Sequence, residues 1–250
     1  MGDAGYTTSL YIESWVLGGL VITFTTARIW CRTMVNKQLG WDDFFMILGA
    51  SAAIACSSVV TAAVSAGLGR HQDQITDPEK LTSAIKYTII APVLSIVSSG
   101  STKISILVFL VRLMGMTAKR WHYVFLGALC AIMVALNVTA IGVIVGFCRP
   151  AAKQWDPSLP GSCINPRSQL VTGYIQSGYN VLMDVIVAIF PVSFIRKLNL
   201  NKRTKIGLCC LMGGGIFAAV ATSIKVYLLK DLDKHGDITW YWAPITQWYT

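Results

Sequence analysis

The strongest constraint on this chain is the rhythm of its apolar stretches. Six runs of about 20 residues or more alternate with short polar loops, and each is long enough as a helix to cross the roughly 30 Å hydrocarbon core of a bilayer. With 54% hydrophobic and 13% charged residues, the chain has too few polar side chains to cover a soluble globule of this length. The sequence therefore predicts an all-α, polytopic membrane protein with one domain over residues 1–250.

The apolar runs predict seven membrane spans. They are Tyr11–Trp30, Trp41–Leu68, Ser83–Leu113, Trp121–Cys148, Leu170–Ile195, Thr204–Leu229 and a seventh that begins near Trp240. The residues from Trp240 to Thr250 are too few to cross a bilayer, so we expect the seventh helix to be incomplete in this chain; the alternative is a short interfacial helix. A transmembrane barrel is excluded because the continuous apolar runs lack the alternation of its strands.

Lysine and arginine predict the orientation of the spans. The loops after helices 1, 3 and 5 carry eleven basic residues against two acidic ones, whereas the segments at the other ends carry eight against nine. Basic loops mark the cytoplasmic side, so we expect the N-terminus outside and these three loops inside. The chain's net charge of +9 is explained by basic loops at anionic lipid headgroups, and nucleic-acid binding is not predicted.

Two of the seven cysteines flank the loop after helix 4. The charge pattern places Cys148 and Cys163 outside, in a compartment that permits disulfides. A bridge between them would hold this loop over the helix ends; the alternative is two unrelated thiols. No histidine lies near the pair, and no metal site is predicted anywhere in the chain.

Ionisable residues inside the predicted spans are the candidate ligand-binding residues. Asp184 lies near the middle of helix 5, with Asn180 one turn before it on the same face, and Lys103 lies at a similar depth in helix 3. A charge inside a membrane usually has a partner, so a contact between Lys103 and Asp184 is expected. The alternative is that each is satisfied separately by serine, asparagine or water.

A second charged set lies at the predicted cytoplasmic ends of helices 1, 2 and 3. Asp42 and Asp43 open helix 2, where acidic residues complement the helix dipole and can pair with Arg28 and Arg32. With Arg112 from helix 3, these residues form a candidate cytoplasmic lock that breaks on activation. A catalytic carboxylate at Asp42 is the alternative, although neighbouring positions on a helix point about 100° apart and make a poor acid–base pair.

Several short motifs occur in a characteristic order. They are Ala27-Arg28-Ile29-Trp30-Cys31-Arg32, Gly40-Trp41-Asp42-Asp43, the stretch from Lys103 to Arg112, Cys148-Arg149-Pro150 with Trp155 and Cys163, and Asn180 with Asp184 ahead of Phe190-Pro191. In this order the chain resembles the fungal rhodopsin-like domain family from about residue 12 onward. The resemblance implies a seven-helix, rhodopsin- or GPCR-like bundle, related to the membrane core of fungal receptor-like proteins that carry a CFEM domain and to membrane proteins of mycotoxin gene clusters.

The family name suggests retinal, and the residues argue against that cofactor. Retinal needs a mid-membrane lysine for its Schiff base, whereas Lys225 in helix 6 lies close enough to Lys230 for its side chain to snorkel to the interface. We therefore expect no cofactor. Lys225 remains in the candidate set of buried polar residues with Lys103, Asn180 and Asp184.

Two functional classes agree with these features. The first is a receptor-like sensor of a small ligand, signalling to a cytoplasmic partner through the basic loops. The second is a membrane-embedded enzyme, such as a cyclase, that acts on a lipophilic secondary-metabolite intermediate with Asp184 or Asp42 as its acid. A transporter is less favoured because the chain shows no inverted repeat. The residues predict a multi-pass protein of the plasma membrane or an endomembrane, and they do not distinguish the two functional classes.

Overall fold

A computed structural model describes residues 3–35, 37, 39–69, 77–115, 119–156, 158–195 and 219–224. The described part contains five long helices: α1 (Asp3–Trp30), α2 (Trp41–Ala66), α3 (Pro78–Met114), α4 (Arg120–Val145) and α5 (Pro166–Ile195). Each of the five includes a stretch long and apolar enough to cross a membrane. Residues 219–224, inside the sixth predicted span, are also helical. The rest of that span and the seventh lie outside the described residues, so the total of seven stays a prediction.

Three helices begin earlier than the apolar runs predict. α1, α3 and α5 start four to eight residues before the predicted first residue. Polar residues outside the hydrocarbon still form helical hydrogen bonds when the first turn is capped. The Asp77 carboxylate accepts from the backbone N–H of Glu79 at 3.2 Å, and Asn165 Oδ1 accepts from the N–H of Arg167 at 3.0 Å.

The predicted end of helix 4 at Cys148 is wrong. α4 ends at Val145, and Cys148 lies in β1 (Cys148–Arg149), which pairs antiparallel with β2 (Ser162–Cys163). Its pairing with Cys163 requires an extended backbone, which ends the helix before the apolar run ends. α2 ends at Ala66, two residues early, because Gly67 adopts the left-handed conformation (φ 114°) that terminates many helices.

α2 and α3 form an antiparallel seam of small residues with a seven-residue repeat. At one end the Ser105 hydroxyl donates to the carbonyl of Asp42 at 2.6 Å. Seven residues along each helix, Ser98 donates to the carbonyl of Gly49 at 2.9 Å. A Cβ at Gly49 would lie 2.7 Å from Thr102 Oγ1, so glycine is required for this close approach.

The seam continues for one more repeat. Seven residues beyond Gly49 and Ser98, the Cys56 thiol lies 3.5 Å from the carbonyl oxygen of Ala91. α1 packs against the same helix α2, where the Ser57 hydroxyl donates to the Ser14 carbonyl at 3.3 Å. The first three helices are therefore held together by contacts from small side chains of one helix to backbone carbonyls of the next.

An apolar core joins α3, α4 and α5 in one half of the bundle. Its buried residues are Leu107, Met114, Leu126, Leu129, Met133 and Met183. They include the last turns of α3 and the first turns of α4, and the Tyr179 hydroxyl of α5 donates to the Leu129 carbonyl at 2.8 Å. We call this half the cluster end, because Arg28, Arg32 and Arg112 lie there. We call the opposite half, which carries the loop between Cys148 and Cys163, the loop end.

The outward faces of α1 and α4 carry exposed apolar side chains. Examples are Val16 and Phe24 on α1 and Ile132 and Val138 on α4. Such residues are unfavourable in water but suit lipid tails, where only the backbone must be satisfied internally. The pattern agrees with an integral membrane protein.

Candidate functional site

Lys103, Asn180 and Asp184 meet in the interior between α3 and α5. Lys103 Nζ lies 3.2 Å from Asp184 Oδ1 and donates to Asn180 Oδ1 at 2.9 Å and to the Asn180 carbonyl at 3.2 Å. The three residues are only 8%, 7% and 9% exposed. We call them the interior polar group. The contact expected from their matching depths in the two helices is present; a role in ligand binding stays a prediction.

A second polar layer lies one turn toward the loop end. Gln176 Nε2 of α5 donates to Asn137 Oδ1 of α4 at 3.1 Å. The amide nitrogen of Asn137 faces Gly100 of α3, where a Cβ would lie 2.8 Å away. Sequence reasoning missed this layer, although Gln176 precedes Asn180 by one helical turn and so lies on the same face.

The apolar core closes the other side of the interior polar group. Leu107 lies one turn beyond Lys103 on α3, and Met183 adjoins Asp184 on α5. Both are nearly inaccessible. Polar side chains in this part of the bundle therefore lead from the interior polar group toward the loop end.

The second site is a cluster of three arginines and two aspartates. Arg28 lies 2.8 Å from Asp42 and 3.2 Å from Asp43, and Arg32 lies 2.8 Å and 3.5 Å from the same two carboxylates. Arg112 reaches Asp42 at 3.5 Å. These five residues form the arginine–aspartate cluster. It brings together the candidate lock residues of α1, α2 and α3 with Arg32, which lies in the π-helical segment Cys31–Val35 after α1. Their function as a lock stays a prediction.

Two further residues shape the arginine–aspartate cluster and were not assigned to it from the sequence. The ring of Phe109 lies beneath both Arg28 and Arg32, whose guanidinium carbons are each 5.6 Å from its centroid. Gly40 is the N-cap residue of α2, and its backbone N–H donates to Asp43 Oδ2 at 3.1 Å. Phe109 lies three residues before Arg112, so helical spacing could have indicated its place in the cluster.

Cys148 and Cys163 form a disulfide bond, as their positions around the loop predict. The loop between them also contacts the neighbouring helices. Gln154 Nε2 donates to the Val145 carbonyl at 3.1 Å, and Lys86 of α3 lies 5.7 Å from the centroid of the Trp155 ring. The loop is therefore fastened to the ends of α3 and α4. Lys225, the remaining candidate, lies outside the described residues.

Residues 27–250 match the model of a protein family described as the fungal rhodopsin domain. An SAT4 family membrane protein of Emericella nidulans is 23% identical over 90% of this chain and 54% of its own length. The Wortmanamides biosynthesis cluster protein C of Talaromyces wortmannii is 24% identical over 87% of this chain and 60% of its own. The polyenoic acids biosynthesis gene cluster protein Ba17b of Metarhizium anisopliae is 22% identical over 85% of this chain and 58% of its own.

The chain spans little more than half the length of these relatives. No solved structure matches it significantly.

Proposed function

This chain belongs to the fungal rhodopsin domain family, and from that premise we propose that it is a membrane sensor of a small lipophilic ligand. The ligand binds at the interior polar group and changes the position of α3 relative to α5. The change is passed along α3 to the arginine–aspartate cluster, which faces the cytoplasm and a signalling partner.

The single observation that carries this proposal is that α3 contributes to both charged sites. Lys103 ties α3 to α5, and Phe109 and Arg112 tie the same helix to α1 and α2. Nine residues separate Lys103 from Arg112, which is about 14 Å along a helix. A shift at one site therefore moves the other, provided that α3 moves as a rigid element.

The burial and ion pairs of Asp42 also favour a sensor over an enzyme that uses this carboxylate as its acid. The carboxylate of Asp42 is fully buried and lies within 3.5 Å of three guanidinium groups. A general acid must reach the substrate atom that it protonates. Asp42 instead holds three helices together, which suits a contact that opens and closes.

The proposal is tested by a reporter at the cluster end. Cys31 is an exposed thiol beside Arg32 and accepts a fluorophore when Cys56, Cys130, Cys209 and Cys210 are replaced by alanine. Lipophilic molecules extracted from protein purified from a fungal host are added back to the labelled protein in nanodiscs. We expect one of them to change the emission over the same concentration range in which it raises the Tm.

The matched variants are Lys103→Ala, which should abolish the emission change, and Arg149→Ala, an exposed change at the loop end that should preserve it. A molecule that raises the Tm of the protein without any effect at Cys31 would argue against a sensor.

The direction of signalling depends on the orientation of the bundle. A reporter fused after Gly115 should be cytoplasmic, and one fused after Pro160 should be external, because the cluster end carries the excess of basic residues. Reversed locations of the two reporters would place the arginine–aspartate cluster outside and exclude it as a cytoplasmic relay.

An enzyme that acts on a lipophilic intermediate is the second candidate, favoured by the names of two relatives from biosynthesis clusters. Asp184 is then the better acid, because it lies in the bundle interior and pairs with Lys103 instead of with three guanidinium groups. Mass spectrometry of the added molecules decides between the two. A sensor returns its ligand unchanged, whereas an enzyme converts it in a reaction that Asp184→Asn abolishes.

A further inference from the structure

The hydrogen bonds of the interior polar group do not use all of its donors and acceptors. A lysine ammonium has three donors, and those of Lys103 face Asn180 Oδ1, the Asn180 carbonyl and Asp184 Oδ1. Within the part of the chain that the structure describes, the Asn180 amide nitrogen and Asp184 Oδ2 make no hydrogen bond. In the described part of the bundle, the two amide hydrogens of Asn180 and Asp184 Oδ2 are therefore without a hydrogen-bond partner.

Both residues are more than nine-tenths buried, so bulk water does not readily supply the missing partners. Buried polar groups in folded proteins are nearly always paired, and an unpaired one is costly and calls for an explanation. The two groups belong to residues one helical turn apart on the same face of α5. A molecule placed beside this turn can meet both of them.

The charges in the interior polar group restrict the kind of molecule. Lys103 and Asp184 neutralise each other, so a ligand with a charged head would leave a net charge in the low-dielectric interior. The next layer, Asn137 and Gln176, consists of neutral amides. The site therefore suits an uncharged group that can both accept and donate a hydrogen bond.

The surrounding residues also indicate where the rest of the molecule lies. The amide layer extends from the interior polar group toward the loop end, and the apolar core with Leu107 and Met183 fills the cluster end. A ligand whose tail extends from Asn180 toward the loop end does not need to displace that core.

We propose that Asn180 and Asp184 bind the hydroxyl or carboxamide group of an uncharged lipophilic molecule. The ligand oxygen accepts from Asn180 Nδ2, and the ligand O–H or N–H donates to Asp184 Oδ2. The inference rests on the proposed sensor function, for which it names the ligand class.

A series of ten-carbon probes with different heads tests this assignment. Decanamide and decan-1-ol are compared with decane, decanoate and decylammonium at equal membrane concentration, and the Tm of the protein in nanodiscs is measured. The amide and the alcohol should raise the Tm at a concentration at least about tenfold lower than any effect of decane. The charged probes should have no specific effect on the wild-type protein.

Two variants of the site and one control sharpen the test. Asn180→Leu should abolish the preference for the amide and the alcohol. Asp184→Asn leaves Lys103 without a counter-charge, so the preferred probe should change from decanamide to decanoate. Thr172→Val, on the same helix, removes a hydroxyl that donates to the Ser168 carbonyl within its own helix and should keep the wild-type preference. If Asp184→Asn does not fold, Asn180→Leu decides alone.

Equal responses to all five probes, or no response to any, would mean that the group holds water only, and would overturn the assignment. So would a preference for decanamide that survives Asn180→Leu. The sensor proposal fails separately: an amide that binds through Asn180 without changing the emission at Cys31 keeps this inference and removes the signalling function. An emission change at Cys31 that does not depend on Asn180 keeps the sensor proposal and removes this ligand assignment.

Discussion

The interior polar group and the arginine–aspartate cluster use the same chemistry in different surroundings. Both join different helices through ion pairs with buried carboxylates. In the interior, a single lysine meets a single aspartate and both are almost completely buried. In the cluster, three arginines share two aspartates, and the arginine side chains are between 14% and 39% exposed.

The difference lies in what happens when one partner is lost. An arginine at the bundle end can turn its guanidinium group toward water or toward the second aspartate, so the cluster tolerates change. Within the described residues, no second charged side chain pairs with Lys103 or Asp184, and both are nearly buried, so a remaining charge is left uncompensated. The two sites should therefore respond very differently to equivalent mutations.

The largest effect is expected for the interior pair. Lys103→Ala or Asp184→Ala should each lower the free energy of unfolding by about 3 kcal/mol, because the other charge stays buried without its partner. The double variant should recover much of the loss. Thermal or denaturant unfolding in detergent measures all three.

Lys86→Ala, on the same helix but exposed, is the matched control and should cost less than about 1 kcal/mol. If the effects of Lys103→Ala and Asp184→Ala simply add, the two residues do not interact energetically and the contrast with the cluster is lost.

A smaller effect is expected for the central carboxylate of the cluster. Asp42→Ala removes the partner of three arginines, but Asp43 remains 3.2 Å and 3.5 Å from Arg28 and Arg32. We expect a loss of about 2 kcal/mol in the free energy of unfolding, in the range for hydrogen bonds to charged groups. A loss equal to that of Asp184→Ala would show that the cluster is no more tolerant than the interior pair.

A change beside the cluster tests whether its geometry is fixed. In Gly40→Ala the new methyl group would lie too close to Asp42 Oδ1 and Arg112 Nη1, so both atoms must move away from it. The loss should be about 1 kcal/mol, at the low end for overpacking, because the arginine end is flexible. Gly127→Ala in the interior of α4, where a Cβ has nothing within 4 Å, is the control and should be neutral or stabilising by up to about 1 kcal/mol, because alanine is the better helix former. Equal losses for the two variants would indicate a backbone effect of alanine and no crowding at the cluster.

The smallest effect is expected for the most exposed arginine. Arg112 reaches Asp42 at 3.5 Å with more than a third of its side chain exposed, so Arg112→Ala should cost less than about 1 kcal/mol. The cost should fall further as salt is added, since exposed ion pairs are screened. Unfolding of the wild-type protein and the variant at low and high ionic strength measures this dependence; a salt-independent loss would mean that Arg112 acts through packing.

The sequence predicted the interior pair because helix depth can be counted from it. Lys103 and Asp184 lie at similar distances from the ends of their apolar runs, and an isolated charge in a membrane needs a partner. The pairing of Arg28 and Arg32 with Asp42 followed from their nearness across a short loop. The contributions of Phe109, Ser105 and Asn137 did not follow, because aromatic and small polar residues in an apolar run look like ordinary core.

The sequence by itself determined that this is a helical membrane protein, the approximate limits of the five described spans and the family, and it predicted the disulfide that the structure contains. Length, hydrophobicity and local order suffice for these, because a bilayer forces each apolar run into a helix. Tertiary structure alone decided the seam of Gly49 and Ser98, the stacking of two arginines on Phe109 and the donor and acceptor left over at Asn180 and Asp184. Those depend on how helices rotate and approach one another, and that rotation is set by packing between residues far apart in the chain.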